Sequence, residues 1–369
     1  MEDAFRFADG LGPEKIIHVH EPRLGLRAIL VIDNVAAGPS IGGIRMAPDV
    51  NLEECVRLAR AMTLKNAAAG LPHGGGKSVI VGDPKMPRAR KARHIRAFAR
   101  AIAPLADYIP GPDMGTDETC MAWIKDEIGR AVGLPREIGG IPLDEVGATG
   151  FGLAASIDVA KDFCGIALKG ARVAVQGFGA VGKHAARFLA EKGAVLVAAA
   201  DANGTIADPR GLDVRRLIEH KDAGRSVVDF APGAASGVDA ILDVECEIWI
   251  PAARPDVLRA DNVARLKTKL VAQGANIPAT AEAETVLHRR GILSIPDFIA
   301  NAGGVICAAV EYRHGTAATA FESIEEKIRA NTREVLEGVK ASGKEPRAVA
   351  LDLAAARVKR AMALQRWAE

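Results

Sequence analysis

This chain of 369 residues has no apolar run long enough to span a membrane, and MEDAFRFADG lacks the basic stretch and apolar core of a secretory signal. Neither feature offers a membrane partner, and the cytoplasm is the expected compartment. Cysteine is sparse: Cys55, Cys120, Cys164, Cys246 and Cys307 are scattered with no CxxC pair. No zinc site or disulfide framework follows, and a reducing compartment fits. Charge of one sign does not dominate either. Lys plus Arg number 48 against 46 Asp plus Glu, a net charge of +2, too little for a nucleic-acid partner to follow from charge. Internal repeats are missing, and the only compositional bias is a general richness in alanine.

Hydrophobic residues make up 49% and charged residues 25%, the balance of a soluble globular protein. The length suits two domains with a cleft between them. LGLRAILVIDNV (24–35) and SVIVG (78–82) read as buried strands beside turn residues. Between them, residues 51–69 read as a helix. Asn51 can cap it, Glu53 and Glu54 suit its positive end, Val56, Ala59, Met62 and Thr63 share a face, and Gly70 stops it. Strands alternate with helices, which predicts an α/β class.

From Ala148 a helix is followed by ARVAVQGFGAVGKHAARFLAEKGAVLVAAAD, a complete strand, glycine turn, helix and strand. Gly177, Gly179 and Gly182 satisfy G-x-G-x-x-G in the context that gives the pattern meaning. The first glycine allows the tight turn, the second lets backbone approach a pyrophosphate, and the third lets helix pack on strand. Asp201 ends the next strand, where a carboxylate can accept hydrogen bonds from an adenosine ribose. No Lys or Arg follows it until Arg210, which favours NAD over NADP. The expected organisation is an α/β substrate domain over 1–145 and a Rossmann-type dinucleotide domain over 146–325, followed by C-terminal helices over 326–369.

LPHGGGKS (71–78) ends like a P-loop, but Leu71 stands where the first glycine belongs. A helix also precedes this segment and a strand follows it, so no helix N-terminus faces a phosphate. Lys77 therefore reads as a reactive amine, with the glycines as clearance for a substrate. Lys65, in MTLKNAAAG, is a second cation in an apolar setting; snorkelling from a helix end is the alternative.

Three features are set aside. Residues 85–100 hold seven Lys or Arg, yet Ile95, Phe98, Ala99 and Ile102 recur at helical spacing, so the basic residues form a wet face. His18 and His20 share a strand face without a third ligand, which gives no metal site. Cys307 reads as a packed small residue, and His73 has no assigned role.

The segment MTLKNAAAGLPHGGGKSVIVGDP resembles the signature of the amino acid dehydrogenases acting on glutamate, leucine, phenylalanine or valine. SIGGIRMAPDVN (40–51), IPGPDMGTDETCMAWI (109–124), GATGFG (147–152), QGANIPAT (273–280) and PDFIANAGGVICAAVE (296–311) follow in family order. The resemblance implies that Lys77 is the catalytic lysine, Asp113 the carboxylate that exchanges a proton with the substrate nitrogen, and Lys65 the partner of the substrate α-carboxylate. It also implies that Thr149 contacts the nicotinamide carboxamide, Asn276 the nicotinamide ribose, and Asn301 the substrate side of the cleft. Phe178, Ala180, Val181 and Ala252 join the glycines as cofactor contacts. Oxidative deamination needs a base for nitrogen, an activated water and a clamp for a carboxylate, which two lysines and an aspartate supply. By the same resemblance the C-terminal helices pack back on the first domain, and the protein is a homo-oligomer.

Members that prefer glutamate carry a lysine and a serine where this chain places Ile41 and Ala308. Burying a carboxylate there without a donor would cost several kcal/mol, roughly, whereas an apolar side chain would gain ~1.5–3. Gly42, Gly43, Met62, Gly111 and Val305 complete the expected pocket, and an apolar L-amino acid, branched or aromatic, is the expected substrate. Glutamate, an unusual amino acid, or an inactive regulatory protein on the same fold are the alternatives.

Overall fold

The structure, a computed structural model, describes residues 5–365. These divide into two compact units, the first holding 5–142, Val305–Ala320 and 351–365, the second Leu143–Gly304 and Phe321–Ala350.

In the first unit β1 (Lys15–Glu21) and β2 (Leu26–Asn34) form an antiparallel pair. β3 (Ser40–Ala47) leads into α1 (Leu52–Ala68) and β4 (Gly75–Val81). Then come α2 (Arg88–Ile102), β5 (Tyr108–Pro112) and α3 (Glu118–Ile128). The sheet order is β1-β2-β4-β3-β5, with β3 parallel to both β4 and β5. Aliphatic alternation explains the layers. Leu30, Ile32, Ile44, Met46 and Ile80 point to one face, where α2 and α3 add Ile95, Phe98, Ile102 and Met121. Val31 and Val79 point to the other, against Cys55 and Ala59 of α1. Asn51 caps α1 as expected, its side chain accepting from the Glu54 N–H.

The second unit starts with α4 (Leu143–Val146) and α5 (Ala148–Ala160). β6 (Arg172–Gln176), α6 (Ala180–Glu191) and β7 (Val195–Asp201) form the βαβ core. They are followed by β8 (Gly204–Ala207), α7 (Val214–Asp222), β9 (Ala234–Ser236), β10 (Ile248–Pro251) and β11 (Leu270–Ala272). α8 (Ala281–Arg289), β12 (Leu293–Ile295) and α9 (Asp297–Ala300) complete the sheet region. The order β12-β11-β10-β6-β7-β8-β9 is parallel from β12 to β7. It is a doubly wound sheet whose strand order reverses beside β6, the place where such sheets bind ligands. The two-domain α/β class read from the sequence is the class of this fold.

The chain then runs through α10 (Gly303–Tyr312), α11 (Ala317–Ser342) and α12 (Pro346–Met362). Here the structure differs from the expected boundaries. The first break falls at 142/143 rather than 145/146, and α10 passes from the second unit into the first. The C-terminal helices do not pack as a block on the first unit, because 321–350 belongs to the second. The cause is the contacts of α11 with α5: Ile324 and Ile328 are buried, Ser156 and Thr332 share a hydrogen bond, Arg329 pairs with Asp158, and Phe321 stacks edge-on with Phe151. Only residues from Leu351 onward return, where Arg357 donates to the carbonyls of Ala67 and Ala68. Among the described residues no helix is long and apolar enough to cross a membrane.

Candidate functional site

Lys77 lies in the interior of β4 and is buried, with 6% of its surface exposed. Asp113 follows the end of β5, two strands away, and β3 between them carries Gly42 and Gly43. The gap is narrow because β3 offers no side chain there. Lys77 Nζ reaches Asp113 Oδ2 at 2.6 Å. A Cβ on Gly43 would sit 2.8 Å from the Asp113 Cβ and 3.3 Å from Lys77 Nζ, and one on Gly42 would overlap the Gly76 carbonyl.

Arg45, quoted within SIGGIR but given no role from sequence, completes the group. Its Nε donates to the same Asp113 Oδ2 at 3.0 Å, while its Nη1 donates to Glu54 Oε1 on α1 at 2.6 Å. Burial alone would raise the Asp113 carboxyl, but the charges of Lys77 and then Arg45 hold it below the usual carboxylate range. The frame around the pair is tied by Tyr108, whose hydroxyl donates to the Gly42 carbonyl and accepts from Ser78, both at 2.8 Å. Thr116 accepts from the Asp113 N–H and donates to the Ile44 carbonyl.

The glycines of LPHGGGKS do not serve as clearance for a substrate. Gly75 and Gly76 are strand residues, and what lies against them is protein: the Thr63 backbone beside Gly75, and Ser40 Oγ and the Tyr108 ring beside Gly76. Gly74 abuts the Asn34 carbonyl. They let α1 and β3 approach β4 closely, which is how Lys77 comes to be buried. His73 packs edge-on to Tyr312 and pairs through Nδ1 with the Pro39 carbonyl.

Lys65 and Met62 are half-buried on α1. Ile41 is 4% exposed and Ala308 8%, while Val305 is half-buried and Gly111 is buried against Val132. All of these fall in the first unit with Lys77 and Asp113; Asn301 falls in the second. There Asn301 donates to Asn276 Oδ1 at 3.0 Å and to the carbonyls of Gly274 and Ala275. Thr149 lies in the first turn of α5, near Gly304.

The glycine turn of the second unit meets each requirement for a dinucleotide pyrophosphate. Gly177 has φ +93°, and a side chain there would strike Ala253. A Cβ on Gly182 would overlap the Gly177 carbonyl, so α6 can lie close to β6. At Gly179 a Cβ would meet only open space, and no side chain caps α6 there, leaving its N–H groups and dipole for an anion. Ala180 and Val181 begin α6, Phe178 is buried with its N–H on the Ala200 carbonyl, and the Ala252 N–H donates to the Gln176 carbonyl. A pocket of about 650 Å³ opens at these strand ends, lined among others by Gly177, Gly179, Asp201, Lys221, Arg254 and Arg259.

Asp201 differs from its sequence reading. No basic residue follows it nearby along the chain, but α7 brings Lys221 to 2.7 Å from its Oδ2. Among the described residues no group of three or more His, Cys, Asp or Glu is placed to hold a metal ion. His18 and His20 are exposed on one face of β1.

Two family models match the chain: Glu/Leu/Phe/Val dehydrogenase, dimerisation domain, over residues 13–130, and Glutamate/Leucine/Phenylalanine/Valine dehydrogenase over residues 139–366. Among curated proteins, glutamate dehydrogenase of Aeropyrum pernix is 38% identical over 90% of this chain and 85% of its own length. NADP(+)-dependent glutamate dehydrogenase of Pyrobaculum calidifontis is 39% identical over 76% of this chain and 70% of its own. NAD-specific glutamate dehydrogenase of Staphylococcus aureus is 35% identical over 82% and 76%. Among solved structures, the hetero-hexameric glutamate dehydrogenase of Thermus thermophilus, in a leucine-bound form, superposes with TM-score 0.83 at 28% identity, covering 95% of this chain and 89% of that one. L-tryptophan dehydrogenase of Nostoc punctiforme gives 0.76 at 26% identity, covering 95% and 97%.

Proposed function

Because the chain belongs to the Glu/Leu/Phe/Val dehydrogenase family and is an amino acid dehydrogenase with a nicotinamide dinucleotide cofactor, we propose that Lys77 and Asp113 carry the reversible oxidative deamination of an L-amino acid to a 2-oxo acid and ammonium. The observation that carries this reading is the buried Lys77 Nζ 2.6 Å from an Asp113 carboxylate that Lys77 and then Arg45 hold ionised. A bound dinucleotide would supply the hydride acceptor. Asp113, ionised at neutral pH, takes and returns the proton of the substrate nitrogen. Lys77 presents its ammonium to the carbonyl or water oxygen, where negative charge develops. Lys65 clamps the α-carboxylate, and the network of Asn301 and Asn276 orients the nicotinamide side.

The names of the curated relatives make glutamate the first substrate reading. A second reading, an apolar amino acid, is favoured by the buried Ile41 and Ala308, which offer no hydrogen bond to a side-chain carboxylate. A panel of 2-oxo acids with ammonium and reduced dinucleotide, followed at the dinucleotide absorbance, separates the two. Fastest turnover of 2-oxoglutarate sinks the apolar pocket, while fastest turnover of the leucine, valine or phenylalanine oxo acids sinks the glutamate reading. Lys77→Ala should abolish turnover of any of them yet still bind dinucleotide. We also propose a homo-oligomer joined through the first unit, supported by the dimerisation-domain description of 13–130; the Thermus relative, a hetero-hexamer, supports assembly of this fold but not its homomeric form.

A further inference from the structure

Among the described residues three besides glycine have positive φ: Asp256, Ile277 and His314. Asp and His enter the left-handed region more readily than most residues, whereas a β-branched side chain there is an outlier that the surroundings must hold. Ile277, at φ +48°, is the β-branched one, and 53% of it is exposed, so burial of its side chain does not offset the strain. Its backbone is held instead. The Ile277 N–H donates to Asp297 Oδ2 at 2.9 Å, and its carbonyl accepts from the Asp256 N–H at 3.0 Å.

Asp297 is buried in α9 and is itself braced. Arg347 Nη2 lies 2.9 Å from its Oδ1, an ion pair without the alignment of a hydrogen bond. The same guanidinium donates to both carboxylate oxygens of Glu284 on α8 and to the side-chain oxygen of Gln273, just after β11. Arg347 stands in the first turn of α12, where the helix dipole opposes a cation. Stability of α12 does not call for it there; the two carboxylates do.

The peptide that Asp297 holds joins Ile277 to Asn276, so the bond also fixes the plane from which the Asn276 side chain departs. Through its main chain Asp297 reaches a second amide. Its carbonyl accepts from the Asn301 N–H at 2.7 Å, and Asn301 in turn donates to Asn276 Oδ1 at 3.0 Å. A network that only cemented α12 to the sheet would not need an exposed residue held left-handed beside these amides.

We propose that Asp297 and Arg347 are positioning residues for the nicotinamide end of the dinucleotide: the Asp297 carboxylate, braced by Arg347, keeps Ile277 left-handed and thereby aims the Asn276 amide. Neither residue touches the cofactor; they act through the turn. The proposal rests on the reading of the second unit as a dinucleotide site and on that of Asn276 as its contact at the nicotinamide ribose.

The test compares two ligands on the full-length protein. NADH and NADPH are titrated by fluorescence and the tighter one is carried forward; ADP, which has the adenosine and pyrophosphate but no nicotinamide ribose, is titrated by calorimetry. Asp297→Ala should weaken the dinucleotide about tenfold, the scale of one hydrogen bond, and leave ADP within about twofold. Arg347→Met should show the same split, and Arg347→Lys a smaller one, because an ammonium keeps the charge without the planar fork. Glycine adopts the left-handed conformation unaided, so adding Ile277→Gly to Asp297→Ala should recover part of the lost affinity. Unchanged dinucleotide affinity in Asp297→Ala, an equal loss of ADP and dinucleotide, or no recovery in the double variant overturns the proposal. If the unaltered protein binds ADP and dinucleotide and the variants show no split, the proposal alone falls. If the unaltered protein binds neither, the dinucleotide reading falls with it.

Discussion

Asp113 carries two cations on one oxygen, and that arrangement governs how it titrates. Lys77 and Arg45 hold the carboxyl low against the opposing effect of burial. Its ionised form therefore adds stability above the ordinary carboxylate range near pH ~4, a contribution lost as pH falls through the lowered folded value. Arg45→Met removes one of the two cations, so the carboxyl should rise. We expect the acidic limb of the kcat/KM profile to move to higher pH, with Lys77 still in place. An unshifted limb would mean that Arg45 does not set the ionisation of Asp113. The sequence displayed Lys77 and Asp113 in recognisable motifs. Arg45 was visible in the same string, but nothing along the chain tells which carboxylate an arginine will meet.

At the scale of elements, the site depends on how closely β3 runs between β4 and β5. Gly43 pairs with Gly111 across β3 and β5, and its missing side chain leaves the space in which Lys77 and Asp113 meet. Gly43→Ala would place a methyl 2.8 Å from both the Asp113 Cβ and the Pro112 carbonyl. Backbone cannot yield as a long side chain can, so the pair should separate. Turnover should fall by about 100-fold or more while dinucleotide binding by the second unit persists; a variant with unaltered kcat would show that the strands give way instead. Periodicity identified α1, α2 and the βαβ core because each has a consistent apolar face. It placed the start of β4 too late, since glycines 74–76 read as loop to any propensity argument. Only the neighbouring strands and α1 make that segment extended.

For the whole molecule, the dinucleotide should stabilise the fold as well as serve the reaction. At 100 times its dissociation constant a ligand adds about 2.7 kcal/mol, and a thermal melt with and without the reduced dinucleotide should show the transition rising. No shift at saturating nucleotide would contradict the assignment of the glycine turn. The sequence by itself determined the α/β class and the family and marked the glycine turn and the candidate pair of Lys77 and Asp113, because each is carried by local periodicity or by a motif whose spacing is its geometry. The tertiary structure decided which residues share those motifs' surroundings. It divided the C-terminal helices between the two units, turned the substrate-clearance glycines into packing contacts, and brought Arg45 to Asp113 and Lys221 to Asp201. Those pairings are 68 and 20 residues apart along the chain. Contacts over such distances are set by how sheets and helices pack, which no local pattern encodes.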